Sequence, residues 1–84
     1  MVIVQQLRSA RAGLRWSIEE LAQLSQVSIR TIKMIEADDG DPKCRPSTLK
    51  KLVDTYEAAG IEFIGTPDND PGIRIRTTRP DETL

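Results

Sequence analysis

Within SIEELAQLSQVSIRTIKMIE, residues 17–36, the chain starts a helix twice. Ser17 precedes an apolar run of Leu21, Ala22 and Leu24, and Ser28 precedes another of Ile32 and Ile35. Each serine stands where a hydroxyl caps the backbone N–H three residues on. Glu20 completes a capping box with Ser17, and Val27 with Ile32 makes a hydrophobic staple around Ser28. Each stretch falls below the ~12 residues at which an isolated helix is still marginal in water, so neither stands alone. Only Ser25-Gln26 separates them. So tight a connection sends the second helix off at a large angle, and both must pack on the rest of the chain.

Upstream, Ile3, Leu7, Ala10 and Leu14 recur at helical spacing. They predict a helix from Val2 to Ala12, with Gly13 as its left-handed C-cap. Trp16 and Leu21 bracket Ser17 as a staple, and Trp16 fills the space between the first two helices. After Glu36, ADDGDPKCRP breaks every period and reads as a loop. Ser47 then caps a fourth helix, Thr48 to about Ala59, with Leu49, Leu52, Val53 and Tyr56 on one face and Gly60 at its end.

The period changes to two in IEFIG and GIRIR, which predict strands Ile61–Ile64 and Ile73–Arg76 around a turn-rich TPDNDP. Ile61, Phe63, Ile73 and Ile75 share the apolar side of this hairpin; Glu62, Arg74 and Arg76 share the other. A lone two-stranded hairpin is marginal in water, so helix four or a second copy must cover it. A second copy is the expectation, which makes residues 61–76 a dimerisation element and the protein a homodimer. TTRPDETL, residues 77–84, reads as a disordered tail. The fold expected is mainly α: four helices within residues 1–60 and a C-terminal two-stranded β-hairpin.

Chemistry is limited by what is missing. The 84 residues, 30% of them charged and 38% hydrophobic, suit one small soluble domain. There is no histidine, no glycine-rich phosphate loop and no cluster of metal ligands, so neither an enzyme nor a cofactor is expected. Cys44 is the single cysteine; it excludes an internal disulfide and fits a reducing compartment. Its neighbours in PKCRPS are basic, yet with no imidazole to pair with it reads as a loop thiol. The opening MVIVQQLRSAR holds four apolar positions before Gln5, too few for a signal peptide or a membrane span. A cytoplasmic protein without a membrane partner is expected. Net charge is −1, but residues 1–36 carry five basic against three acidic side chains, so the basic excess lies with the paired helices.

Residues 7–60 resemble the Xre-type helix-turn-helix family, which includes the phage repressor and Cro proteins. The motif runs from Ile18 to Ala37, with small Ala22 where the helices cross, Val27 after the turn, and Ile32 and Ile35 inward. The resemblance implies a repressor-like fold, a double-stranded DNA partner, and a structural ion pair between Arg11 and Glu36. It also marks two departures. Ile18 stands where many members begin the second helix with a DNA-contacting glutamine, and Gln26 stands where the turn usually has a left-handed glycine. That conformation costs a non-glycine residue ~1–2 kcal/mol.

At about 100° per residue, with Ile29 at zero, Lys33 falls near ~40°, Arg30 near ~100° and Met34 near ~140°. Ile32 and Ile35 fall on the opposite side, near ~300° and ~240°. The helix from Ile29 to Ala37 thus turns two cations and two apolar side chains outward. Such a helix suits the major groove, where Arg30 bonds guanine and Ile29 packs on a thymine methyl, with Lys33 and Met34 alongside. Ser17, Ser28, Thr31, Arg8 and Arg15 are the candidate phosphate contacts. The expected function is sequence-specific DNA binding in transcriptional regulation. Two alternatives stay open: the antitoxin of a toxin–antitoxin pair, with a toxin as partner, and a protein-interaction adaptor that binds no DNA.

Overall fold

The computed structural model describes residues 1–76. TTRPDETL, read above as a disordered tail, lies outside them. In chain order the elements are α1 (Val4–Leu14), α2 (Ile18–Ser25), α3 (Ile29–Glu36), α4 (Pro46–Ala58), β1 (Ile61–Thr66) and β2 (Asn69–Ile75). The four-helix, mainly α architecture with a C-terminal antiparallel hairpin is as the sequence predicts. Among the described residues no helix is long and apolar enough to cross a membrane.

One core joins all six elements. Val4, Leu7 and Ala10 enter it from α1, Leu21 from α2, Ile32 and Ile35 from α3, Leu52 and Tyr56 from α4, and Ile61 from β1. Tyr56 is its largest wholly buried side chain. Trp16 stacks on it at 5.8 Å between ring centroids, and Phe63 meets it edge-on at 6.2 Å. Trp16 therefore packs across to α4 as well as filling the α1–α2 junction. The Tyr56 hydroxyl finds no hydrogen-bond partner among the described residues. Burial pushes this phenol far above its ordinary range; the nearby Glu36 carboxylate adds to the shift and Arg11 opposes it.

Several boundaries differ from those expected. Gly13 lies inside α1, and the left-handed C-cap is Arg15 at φ 59°. A Cβ at Gly13 would sit 2.7 Å from Cδ1 of Ile75, the flexible tip of a side chain that crosses over the helix. At α4, Pro46 occupies the first turn with Arg45 as the cap, two residues ahead of the expected Ser47. A fixed φ and a missing N–H suit proline to that position. The strands also extend past their predicted ends, leaving only Pro67-Asp68 between Thr66 and its partner Asn69. A bulge opposes Asp70-Pro71 to Gly65, whose φ of 77° and lack of a Cβ leave room for the Asp70 carbonyl.

The apolar side of the hairpin is covered by the chain itself. Ile61 is buried, Phe63 and Ile73 pack on the core, and Ile75 lies over Gly13 while staying 45% exposed. The residues assigned to dimerisation thus face α1 and α4, because the short connection at Gly60 folds the hairpin straight back onto them. Glu62 lies on the other side as predicted, pairing with Arg74 at 3.0 Å and Arg76 at 3.3 Å. These two arginines hold its carboxyl below the usual range. Gln6, buried on α1, secures the hairpin: its side-chain Nε2 donates to the carbonyls of Ile64 (3.0 Å) and Gly72 (2.8 Å). Its Oε1 accepts the Ile3 N–H at 2.9 Å.

Candidate nucleic-acid interface

Both helix starts are built as their serines predict. Ser17 Oγ accepts the Glu20 N–H at 3.0 Å while Glu20 Oε1 accepts the Ser17 N–H at 2.8 Å. Ser28 Oγ accepts the Thr31 N–H at 3.1 Å and shares a hydroxyl bond with Thr31 at 2.9 Å. Capping uses the lone pairs of these oxygens. Ser17 keeps its own proton, and the Ser28–Thr31 pair keeps one between them, so a phosphate oxygen still finds donors at both helix starts.

The turn between α2 and α3 is made by Ser25, whose role sequence reading missed, and by Gln26 at the left-handed position that the resemblance marks. Ser25 is buried; its Oγ donates to the Leu21 carbonyl at 2.7 Å and accepts the Val27 N–H at 3.2 Å. Gln26 takes the left-handed conformation at φ 63° that glycine usually supplies. Its amide donates to the Gln23 carbonyl at 2.9 Å, a local bond that offsets part of the strain. Ile18, the first residue of α2, packs against the core and offers nothing to a ligand.

On α3, Ile32 and Ile35 are buried while Ile29, Arg30, Lys33 and Met34 are exposed, Met34 by 61%. With Ala37 these four line one shallow depression. Among the described residues neither Arg30 nor Lys33 pairs with a carboxylate. The four expected base-reading residues therefore share one open face. The helix N-terminus beneath them adds a partial positive charge.

The opposite side of α3 is held by α1. Arg11 grips Glu36 with two bonds, Nε to Oε2 at 2.9 Å and Nη2 to Oε1 at 2.7 Å. Its Nη1 also donates to the Trp16 carbonyl at 3.2 Å, tying the entry of α2 to the same point. The pair is largely shielded, and the Glu36 bond raises the Arg11 pKa further. The ion pair implied by the resemblance is present; removing either partner would strand a buried charge. Arg8, a candidate phosphate contact, is engaged within the protein. Its guanidinium binds the Glu36 carbonyl and the Asp39 carboxylate, at the end of α3 remote from Ser28. Arg15 is exposed beside the start of α2.

Among the described residues no group of histidine, cysteine, aspartate or glutamate side chains converges to hold a metal ion. Cys44 is half-buried against the core, and desolvation raises its thiol pKa while a backbone bond from Leu49 opposes the shift.

Two short helices joined by a left-handed turn, the second presenting an open basic and apolar face, define a helix-turn-helix domain. A helix-turn-helix family description matches residues 7–59, more than half of the chain. The protein belongs to this family, in its Xre/Cro-like form, a DNA-binding regulatory domain. No curated protein matches the sequence.

Proposed function

We propose that the protein is a sequence-specific regulator of transcription that reads duplex DNA with α3 in the major groove. The observation that carries this reading is the open face of Ile29, Arg30, Lys33 and Met34 opposite buried Ile32 and Ile35. Arg30 bonds guanine O6 and N7, Ile29 and Met34 meet thymine methyls, and Lys33 reaches a base or a phosphate. Ser17, Ser28, Thr31 and Arg15 hold the backbone. A second copy supplies the other half-site. The bond from the Arg76 N–H to the Gly60 carbonyl sets the ladder so that the backbone groups of Ile61 and Phe63 point away from β2. That open edge of β1 is where the second chain pairs, while Pro71 interrupts the edge of β2.

The test is binding to duplexes selected from a random pool. Log affinity should fall linearly with log salt, with a slope of about −0.9 per phosphate neutralised. Arg30→Ala should cost about 1–3 kcal/mol on the selected site and relax choice at one base pair, whereas Thr31→Ala weakens all duplexes alike. Affinity indifferent to salt, or equal losses on selected and scrambled duplexes for Arg30→Ala, would count against the reading.

A further inference from the structure

Arg8 belongs to the basic half of the chain, yet its guanidinium is engaged within the protein. Nη1 donates to the Glu36 backbone carbonyl at 3.0 Å, and Nη2 pairs with Asp39. Glu36 is the last residue of α3, and Ala37 after it is right-handed, without the left-handed turn that closes many helices. The end carbonyls of a helix have no partner within it. Among the described residues Arg8 is the one side chain that reaches such a carbonyl at this end. A cation there also opposes the negative end of the helix dipole. The site lies a full helix length, eight residues or about 12 Å, from the Ser28 cap where a groove would be entered.

Arg11 and Arg8 grip the same residue in different ways. Arg11 holds the Glu36 carboxylate, which has its own torsions, whereas Arg8 holds the backbone and so fixes the axis of α3. Ile32, Ile35 and the Arg11 grip hold α3 to the scaffold, and Arg8 adds a hold on its last backbone carbonyl. Resting on the DNA reading above, we infer that Arg8 is a positioning residue for base recognition: it sets the angle at which Ile29 and Arg30 meet the base pairs and contacts no phosphate. Asp39 holds Arg8 in place. Both side chains of that pair are well exposed (38% and 64%), so it contributes little to stability and its loss leaves the fold intact.

The experiment uses the full chain with Arg8→Ala, Arg8→Lys and Asp39→Asn, each bound to selected and scrambled duplexes over a salt series. Arg8→Ala should lower the selected-to-scrambled affinity ratio about threefold to tenfold with an unchanged salt slope. Arg8→Lys should recover part of the ratio, since an ammonium still reaches the carbonyl. Asp39→Asn should lower the ratio although it removes a negative charge. A phosphate ligand behaves oppositely: Arg8→Ala would reduce the salt slope by about 0.9 per chain and weaken both duplexes equally. Asp39→Asn would then free a cation and tighten both; either pattern overturns the inference. If Arg8→Ala melts at the assay temperature, Asp39→Asn decides alone. A wild-type chain that binds no duplex overturns the DNA reading itself, and the role of Arg8 with it.

Discussion

The helix-turn-helix and the hairpin meet the same problem, a chain reversal in little space, and solve it differently. In the helical half both sharp turns are made by ordinary residues, Arg15 and Gln26, held left-handed at φ 59° and 63°. Bonds to neighbours within a few residues steady both turns. In the hairpin half the bulge sets a left-handed Asp70, at φ 51°, against Gly65, where backbone atoms fill the space a Cβ would need. A Cβ on Gly65 would meet the Asp70 carbonyl, and one on Gly60, where α4 gives way to β1, would sit 2.8 Å from the Arg76 carbonyl. Strain in the first half is local and tolerable. In the second half the constraint is steric and comes from the facing strand.

The sharpest way to break that comparison is Gly65→Ala. A left-handed alanine whose Cβ overlaps a carbonyl should cost about 3 kcal/mol, read from the shift in chemical-denaturation midpoint. A loss within the ±0.5 kcal/mol of an ordinary surface change would show that the bulge adapts freely. Next in size is Gln6→Met, which keeps length and apolar volume but removes the bonds to Ile3, Ile64 and Gly72. Leaving those buried groups short of partners should cost about 2 kcal/mol and raise hydrogen exchange in β1 and β2 before the helices. Equal protection everywhere would mean that the hairpin and helices open as one. The smallest effect has the opposite sign. Gln26→Gly should stabilise the chain by about 0.5–1 kcal/mol, the relief of strain less the extra entropy of glycine. A destabilised variant would show that the Gln26 side chain matters more than its backbone conformation.

The same division explains what was legible. Ser17, Glu20 and Ser28 could be read because each bond spans three residues, and three-residue spacing is visible in a string. Period-two alternation gave the hairpin its two sides, including the Glu62–Arg74 pairing. Gly13 was misread because a glycine at the end of a helical period suits a cap, while the helix runs on to Leu14 and closes at Arg15. Gln6 and Ser25 carried no signal: a buried glutamine or serine resembles a surface one until its partners are known. The Arg11–Glu36 pair came from family resemblance alone. On the proposed reading face, periodicity separated Ile29, Arg30, Lys33 and Met34 from the core correctly. It said nothing of Arg8, whose partners, a carbonyl and a loop carboxylate, follow no period.

The Trp16–Tyr56 stack has an optical consequence. The chain has one tryptophan and one tyrosine, and their rings lie 5.8 Å apart. Light absorbed by Tyr56 passes to Trp16 with near-complete efficiency at that separation, so the native chain emits as tryptophan even when tyrosine is excited. Unfolding parts the rings and restores the phenol emission. The junction of α1, α2 and α4 thus carries its own dye pair, and stopped-flow fluorescence of the unlabelled chain would time the assembly of the scaffold beneath α3.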